Sequence, residues 1–418
     1  MFSVLSSAWA LLLGMMLLQV GNGMQGTLLG IRGEIEGFST LQMSLVMSGY
    51  FVGFLFGSRM APDMIRRVGH VRVFAALASL ISAVMILYPT FADPYAWGIG
   101  RILIGFCFSG VYVTAESWLN EAASNENRGK ALSLYMIVQM VGIVSAQALM
   151  LVADPGGFVL FIIPSVLISL AFAPILLSIS PTPAFDTAKP LSLRQIMKIS
   201  PLGCVGMFLL GGVFSAQFGM APVYGAEVGL TVAQISTFVS TFFVGAMVLQ
   251  FPIGWLSDRM DRRLLILIAA AICGLGGVVG AIFGSFFPAL LLAGLMVGGM
   301  SNPLYSLLIA YTNDFLNHED MAAAAGGMVF INGLGAVAGP VATGWLMGQL
   351  GAWAFFLVIS VLCFAVTAYA AYRMTQRAAP SVDETESFTM VSMSASPMAV
   401  NLAAEYDYET AQDEQEAG

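Results

Sequence analysis

Charged residues are scarce in this chain. Only 10% of its 418 residues are Asp, Glu, Lys or Arg, whereas 58% are hydrophobic, and the mean hydropathy is +0.85. Soluble domains carry about 25% charged residues, so this chain has too few to cover a water-exposed surface. The scarcity excludes an ordinary soluble protein and indicates an integral membrane protein.

Cysteine and histidine are also scarce. The cysteines have no paired spacing and lie in hydrophobic runs, at Cys107, Cys204, Cys273 and Cys363. The two histidines, His70 and His318, lie in predicted loops, so we expect no metal site. The glycine runs lack the Gly-Lys-Ser/Thr of a nucleotide loop, and we expect no cofactor. The charge pattern does not indicate nucleic acid as a partner.

Long apolar runs recur along the whole chain. A bilayer requires helices of about 20 residues, and a helix satisfies its own backbone hydrogen bonds in lipid. We therefore predict an all-α membrane protein with twelve transmembrane spans. They lie near 7–30, 40–60, 71–92, 95–119, 130–152, 157–180, 201–225, 232–256, 264–286, 288–312, 322–349 and 352–374. The first span is too long for a signal peptide and lacks a basic leader.

The basic residues predict the orientation. Fourteen of the sixteen lie in segments that face the cytoplasm if the N-terminus is inside, and only Arg32 and Arg101 do not. Cytoplasmic loops carry the excess of Lys and Arg. We therefore predict a multi-pass protein of the plasma (inner) membrane, surrounded by lipid, with both termini in the cytoplasm. We expect it to be a monomer.

The chain divides into two halves of six spans each. A proline-containing cytoplasmic linker at 181–199 is the longest loop, and it separates 1–180 from 200–374. We predict that each half forms a six-helix bundle and that the two bundles are pseudo-symmetric. Nine of the 24 acids lie beyond Val382. Because residues 375–418 cannot bury enough apolar surface to become ordered, we predict a disordered acidic cytoplasmic tail.

A short motif occurs twice, about two hundred residues apart. The second copy, Gly254 to Arg263, reads GWLSDRMDRR and lies between spans 8 and 9. The first copy begins at Gly57 between spans 2 and 3, reads GSRMAPD, and has extra residues before its turn. A glycine that closes a span, an acid, and arginines before a tight turn form a hinge. Its duplication favours a transporter whose two bundles rock about a midplane site.

These motifs resemble the major facilitator superfamily, over residues 1 to about 375. Gly254–Arg263 is similar to the superfamily's signature between spans 8 and 9, and the first copy departs from it by its insertion. Arg101–Gly105 resembles the arginine-glycine motif of span 4. Ala115–Asn120 and Tyr311–Leu316 resemble a smaller branch, the uncharacterised YcaD-like transporters. The resemblance implies the twelve-helix fold of that superfamily.

The resemblance also implies ion pairs at the inner face that latch the two halves in the outward-open state. The residues that we assign to this latch are Gly57, Asp63, Arg67, Arg72, Glu116, Gly254, Asp258, Arg259, Arg262 and Asp314. Glu116 would meet the arginines between spans 2 and 3, and Asp314 would meet Arg262 or Arg263. The alternative role for Glu116 is that of a proton carrier, and both roles stay open.

Arg101 lies within span 4. A charge in hydrocarbon costs at least about 2.5 kcal/mol, so it requires a partner or a wet cavity. It either binds an anionic substrate or modulates a nearby proton site, or else it extends outward and caps carbonyls of span 1. Fifteen residues separate it from Glu116, about 22 Å along a helix, so the two cannot pair.

Polar side chains in otherwise apolar spans are candidates for the substrate site. The candidates are Asn22, Gln25, Arg101, Gln217, Tyr224, Asn302 and Tyr305. In the superfamily spans 1, 4, 7 and 10 line the cavity, and the resemblance therefore favours Asn22, Gln217, Asn302 and Tyr305 among them. The alternative for each is a hydrogen bond between helices, worth about 0.6 kcal/mol.

The leading hypothesis is a secondary active transporter of a small solute, a symporter coupled to protons that works by rocker-switch alternating access. The alternatives are a multidrug or metabolite efflux pump and a transport-inactive membrane sensor or assembly partner. Span 5 lacks the proline of the glycine-proline element found in many exporters, which disfavours a drug/proton antiporter. An enzyme is not expected, because no span carries a His/Asp/Ser cluster.

Overall fold

The computed structural model describes residues 2–122, 128–174, 191–376, 388, 391 and 396–400, and within these ranges it contains helices and turns but no strand. The principal helices are α1 Phe2–Ile35, α2 Thr40–Val68, α3 His70–Thr90, α4 Pro94–Ala122, α5 Arg128–Leu149, α6 Val159–Ala171, α7 Leu193–Ile199, α8 Pro201–Glu227, α9 Val232–Ser257, α10 Arg262–Phe283, α11 Phe287–Asn313, α12 His318–Leu350 and α13 Ala354–Met374. Spans 1–6 correspond to α1–α6, and spans 7–12 correspond to α8–α13.

Ten of these helices are long and apolar enough to cross a membrane. The prediction of an all-helical, multi-pass membrane protein is therefore confirmed, whereas the count of twelve spans stays a prediction. The helix α1 has 34 residues. The helix α6 has 13 residues in the described part of the chain.

Local sequence sets several helix ends. Ser39 and Gln42 form a capping box that starts α2, and such a box satisfies two backbone N–H groups that the helix leaves free. Asp261 caps α10 by accepting the backbone N–H of Arg263. The turn between α2 and α3 requires a left-handed residue, and Gly69 supplies it with a φ of 84°.

The compact units of the structure are not the two halves of the sequence. Unit 1 comprises Met1–Thr187, Ser215–Ser240 and Val337–Phe355, and unit 2 comprises Ala188–Phe214, Thr241–Ala336 and Phe356–Gly418. The end of α8 and the end of α12 thus belong with the first six spans. The predicted division into bundles at 1–180 and 200–374 stays a prediction.

Small residues explain how unit 1 packs. A Cβ on Gly53 or Gly57 would collide with the backbone of α4, and one on Gly105 would collide with the backbone of α2. These glycines let α2 and α4 approach closely, as small residues do between membrane helices. Gly57 of the first hinge motif therefore has a packing role.

Within unit 1, the ends of α8 and α12 pack on α1 and α2. A Cβ on Gly30 would lie 2.6 Å from Pro222 Cβ. The Thr40 hydroxyl donates to Glu227 over 3.2 Å, and the Ser48 hydroxyl donates to the carbonyl of Val337 over 2.6 Å. These contacts explain why the ends of spans 7 and 11 join unit 1.

One histidine and part of the tail are placed differently from the prediction. His70 is not in an exposed loop: it begins α3, is buried, and lies 2.9 Å from the Ser117 hydroxyl. Of the predicted disordered tail, Val391, Ser396, Ala399 and Val400 are buried. Short apolar stretches interrupt the acidic sequence there, and residues 377–387, 389–390, 392–395 and 401–418 lie outside the described ranges.

Candidate functional site

Arg101 is fully buried in unit 1, two turns into α4. One terminal nitrogen donates to Gln25 Oε1 over 2.7 Å, and the other approaches the sulfur of Met47 at 3.4 Å. The guanidinium carbon lies 4.9 Å from the centre of the Tyr50 ring, a cation–π contact that stabilises the buried charge. Among the described residues Arg101 has no carboxylate partner, and its Nε has no hydrogen-bond partner.

The amides of α1 form a hydrogen-bonded network beside Arg101. Asn22 Nδ2 donates to the hydroxyls of Tyr112 at 3.0 Å and Tyr50 at 3.4 Å. Tyr112 donates in turn to Gln19 Oε1 over 2.7 Å. Asn22 Oδ1 has no partner in the described part of the chain. Among the described residues the site therefore holds an unused acceptor on Asn22 and an unused donor on Arg101, and both residues neighbour Tyr50.

The network continues from Gln19 to Glu116. Gln19 Nε2 donates to Gln139 Oε1 over 3.1 Å. Tyr135 lies one helical turn before Gln139 on α5, and its hydroxyl donates to Glu116 Oε1 over 3.2 Å. Arg101 and Glu116 do not touch, as predicted from their spacing, but buried polar side chains connect them. Glu116 itself is 1% exposed.

A π-helical turn in α8 covers the Arg101 side of this network. The turn comprises Ala216–Met220 and contains the predicted site residue Gln217, which is buried. The Phe218 ring lies 5.8 Å from the Tyr50 ring, and a Cβ on Gly219 would lie 3.1 Å from Met47 Cβ. Single π turns occur frequently at functional sites because they displace side chains from the helical register.

The structure brings together four of the seven predicted substrate residues. Asn22, Gln25, Arg101 and Gln217 all lie in the region described above. Tyr224 instead stacks on Phe355 at 5.1 Å and packs near Phe238, in an aromatic cluster of unit 1. Asn302 and Tyr305 belong to unit 2, where Asn302 Nδ2 donates to the carbonyl of Gly298 in its own helix.

The second hinge motif forms a buried charged cluster in unit 2. The Arg262 guanidinium is hydrogen-bonded to Asp314 Oδ1, and both side chains are only 2% exposed. Arg262 also lies 3.9 Å from Asp258 Oδ1 and donates to the Ser257 hydroxyl over 3.2 Å. One arginine thus joins the end of α9, the start of α10 and the end of α11.

The neighbouring arginines of that motif have other partners. Arg259 stacks on Trp255, with its guanidinium carbon 4.3 Å from the ring centre. Arg263 pairs with Asp261 over 2.8 Å. Burial alone would raise the pKa of Asp261, but the hydrogen bonds and charge of Arg263 outweigh it and lower that pKa.

The first hinge motif is exposed. Asp63 pairs with Arg66 over 3.3 Å, with side chains 69% and 45% exposed. Arg67 and Arg72 are exposed as well. Arg66 was not among the latch residues that we assigned, and Asp63 contacts it because the two are three residues apart on one helix face.

The sequence reasoning missed four tyrosines of the network: Tyr50, Tyr88, Tyr112 and Tyr135. Tyr88 accepts from Gln25 Nε2 over 3.2 Å. A signal existed for Tyr112, because eleven residues are close to three helical turns and therefore place it on the same face of α4 as Arg101.

Among the described residues, ten helices are long and apolar enough to cross a membrane, and unit 1 contains a buried polar network. This combination is typical of an integral membrane transporter rather than an enzyme. The family model of the Major Facilitator Superfamily matches residues 11–224 and 203–397. The chain therefore belongs to the Major Facilitator Superfamily.

Relatives support this assignment and confirm the resemblance to the YcaD branch. The chain is 25% identical over 358 residues to the uncharacterised MFS-type transporter YcaD of Salmonella arizonae, which covers 85% of this chain and 92% of the relative. It is 26% identical over 359 residues to the YcaD protein of Escherichia fergusonii, with the same two coverages.

Solved structures are similar in fold. The crystal structure of the nucleoside transporter NupG has a TM-score of 0.73 and 13% identity, and covers 87% of this chain and 98% of its own. The Escherichia coli fucose:proton symporter FucP has a TM-score of 0.57 and 15% identity, with the same coverages.

Proposed function

We propose that this chain is a secondary active transporter that moves a small polar solute through the plasma (inner) membrane by rocker-switch alternating access, coupled to protons. Both termini lie in the cytoplasm in this proposal, and the chain works as a monomer. The substrate contacts Asn22, Gln25, Arg101 and Gln217 of unit 1. Membrane transport follows from the family, whereas the solute, the coupling to protons and the substrate-binding site are proposed.

The observation that carries the proposal is the state of Arg101. A buried arginine is normally paired, because an uncompensated charge is costly in a low-dielectric interior. Arg101 has one amide, one sulfur and one aromatic face as its neighbours, and its Nε is unused among the described residues. A substrate with an anionic group, such as a carboxylate, would supply both the counter-charge and an acceptor for Nε.

The rest of the site favours a hydrogen-bonding solute. The unused Asn22 Oδ1 accepts a donor from the substrate, such as a hydroxyl or an ammonium group. NupG and FucP are described as a nucleoside transporter and a fucose:proton symporter, and both of those cargoes carry hydroxyl groups. We therefore propose a small organic acid that also bears a hydrogen-bond donor.

Ligand binding and uptake test this assignment. Purified protein is screened with small hydroxy and amino acids for thermal stabilisation, and the solutes that bind are followed in proteoliposome counterflow. Arg101→Gln should weaken binding about tenfold or more, since a charge-assisted hydrogen bond is worth about 1.5–3 kcal/mol. Arg194→Gln removes an exposed arginine of α7 and should change nothing. Wild-type affinity in Arg101→Gln would remove Arg101 from the site.

Proton coupling is assigned to Glu116. It is a buried carboxylate within a span, and the tyrosine–amide network connects it to Arg101. Protonation would remove its charge and alter the hydrogen bond from Tyr135. The rearranged hydrogen bonds can pass through Gln139, Gln19 and Tyr112 to the residues around Arg101. Protonation of Glu116 and substrate binding at Arg101 would therefore act on the same side chains.

Accumulation and exchange distinguish this role from a latch. Exchange needs no net proton movement, so Glu116→Gln should reduce gradient-driven accumulation more than substrate exchange. Glu34→Gln, an exposed acid beyond the first span, is the control and should leave both rates unchanged. Equal loss of both rates in Glu116→Gln would indicate a latch. Full accumulation would exclude both roles.

The orientation is tested by cysteine labelling. Tyr95→Cys, at 83% exposure, should react from outside intact cells, and the exposed Asn317→Cys should react only in inside-out vesicles. Reaction of both from one side would contradict the proposed topology.

A further inference from the structure

The tail contacts unit 2 through a serine of α11. The Ser306 hydroxyl donates to the carbonyl of Val391 over 3.1 Å and accepts the N–H of the same residue over 2.9 Å. Serines in helices commonly bond a carbonyl one turn back, as Ser44 and Ser240 do here. Ser306 instead satisfies both backbone groups of a residue that is 85 positions away.

A second contact reaches the hinge motif. The N–H of Phe388 donates to Asp258 Oδ1 over 2.9 Å. The Phe388 ring lies beside Gly254, where an added Cβ would be 2.7 Å from the ring carbon Cδ1. Gly254 thus leaves room for the ring, and the tail uses the carboxylate that also faces Arg262 at 3.9 Å.

Both contacts lie on unit 2, one at Ser306 and the other at Asp258. Ser306 adjoins the candidate substrate residue Tyr305 and lies about 12 Å along α11 from Asp314. Phe388 and Val391 are three residues apart, and beyond them Ser396, Ala399 and Val400 are also buried. Exposure of 3% for Val391 and 1% for Val400 is typical of a core and not of a solvated tail.

We infer that the tail docks on the Ser306–Asp258 face of unit 2 through Phe388, Val391 and residues 396–400, and that this docked tail, here called the plug, slows transport while it is docked. Docking hydrogen-bonds the hinge carboxylate and covers part of α11 next to Tyr305. The effect on rate rests on the proposed transport function, whereas the docking does not. The docking is therefore tested first, by a measurement that needs no substrate.

Thiol labelling of the tail measures docking. Val391→Cys keeps the backbone groups that Ser306 binds, and the four native cysteines are buried. In the otherwise unchanged chain the new thiol should react slowly. Ser306 makes two hydrogen bonds to the plug, and their loss in Ser306→Ala should raise the labelling rate about tenfold.

Control variants separate loss of the plug from general loosening. Ser360→Ala removes a buried serine of unit 2 that bonds the carbonyl of Gly274 over 3.1 Å and none of the described tail residues, and it should leave the rate unchanged. Removal of 404–418 should also leave it unchanged, because the acidic end lies beyond the plug. Rapid labelling in the unchanged chain, or the same rate with and without Ser306→Ala, would overturn the docking.

Transport measures the consequence. A chain that ends at Arg377 should exchange substrate several-fold faster than the full chain, and a synthetic peptide of residues 386–402 should slow it again. Slow labelling of Val391→Cys together with an unchanged rate after truncation would keep the docking and reject the regulation. If no solute is transported at all, the labelling result still decides whether the plug exists.

Discussion

The two copies of the hinge motif have similar sequences and different surroundings. In unit 1 the acid Asp63 is 69% exposed and pairs with the half-exposed Arg66. In unit 2 Arg262 and its partner Asp314 are both 2% exposed. An exposed ion pair contributes about 0–1 kcal/mol to stability, whereas breaking a buried pair costs about 3–5 kcal/mol. The same kind of motif therefore supports the two units to very different extents.

The difference originates in where the preceding helix ends. The helix α9 ends at Ser257, so Asp258 lies in the turn and its neighbours Asp261 and Arg262 start the next helix. The helix α2 continues through Pro62 to Val68. The extra residues of the first copy are therefore helical, and they leave Asp63 on the helix surface beside Arg66. The insertion thus places Asp63 on an exposed helix face, whereas in the second copy Arg262 is buried at the start of α10.

Removing the buried acid should have the largest effect. Asp314→Asn leaves Arg262 without its principal counter-ion in a buried position, and we expect a loss of about 3–5 kcal/mol in the free energy of unfolding. Thermal unfolding in detergent, followed by size-exclusion chromatography, measures the change. A midpoint equal to that of the unchanged protein would mean that the pair contributes nothing.

Replacing both partners should recover part of that loss. Arg262→Met with Asp314→Leu removes both charges at once, so no uncompensated charge stays buried. We expect the double variant to be more stable than the sum of the single changes by about 0.5–3 kcal/mol. Recovery will be incomplete, because Arg262 also bonds Ser257 and lies near Asp258. Strict additivity would show that the two side chains act independently.

Asp258→Asn should have a smaller effect on stability and a visible effect on conformation. Asp258 is 39% exposed and lies 3.9 Å from Arg262, so its loss should cost no more than about 1 kcal/mol. As a latch residue it should nevertheless slow transport and raise the reactivity of cysteines placed at the cytoplasmic end. Unchanged turnover together with unchanged reactivity would remove Asp258 from the mechanism. The amide oxygen that this substitution introduces can still accept the N–H of Phe388, so the plug should stay docked.

The fold was predictable from sequence because the bilayer restricts it so strongly. Apolar length identified the helices, and the duplicated motif with Arg101 and the YcaD-like stretches identified the family. The partners of the charges were less predictable. The spacing of Arg101 and Glu116 excluded a direct pair, but the tyrosines between them, on α2, α4 and α5, meet only after the helices pack. The placement of Arg262 against Asp314 depends in the same way on how α10 contacts α11.

The tail shows a second limit of sequence reasoning. Acid content and low hydropathy averaged over 375–418 predicted disorder, but Val391 and Val400 are buried within it. An average over forty residues hides a short stretch whose backbone finds one serine hydroxyl and one carboxylate. Nothing in the sequence around Ser306 indicated that its hydroxyl would bond outside its own helix.

Removing the exposed acid should have the smallest effect, and it tests the comparison most directly. Asp63→Asn removes a pair that water and salt already screen, so the free energy of unfolding should change by less than about 0.5 kcal/mol. Raising the salt concentration should lower the stability of the unchanged protein no more than it lowers that of the variant. The measurement is the same thermal unfolding used for Asp314→Asn. That variant is the positive control, because it is expected to lose much more stability. A loss for Asp63→Asn as large as that for Asp314→Asn would mean that the first hinge is buried in the working protein and that the two hinges are equivalent.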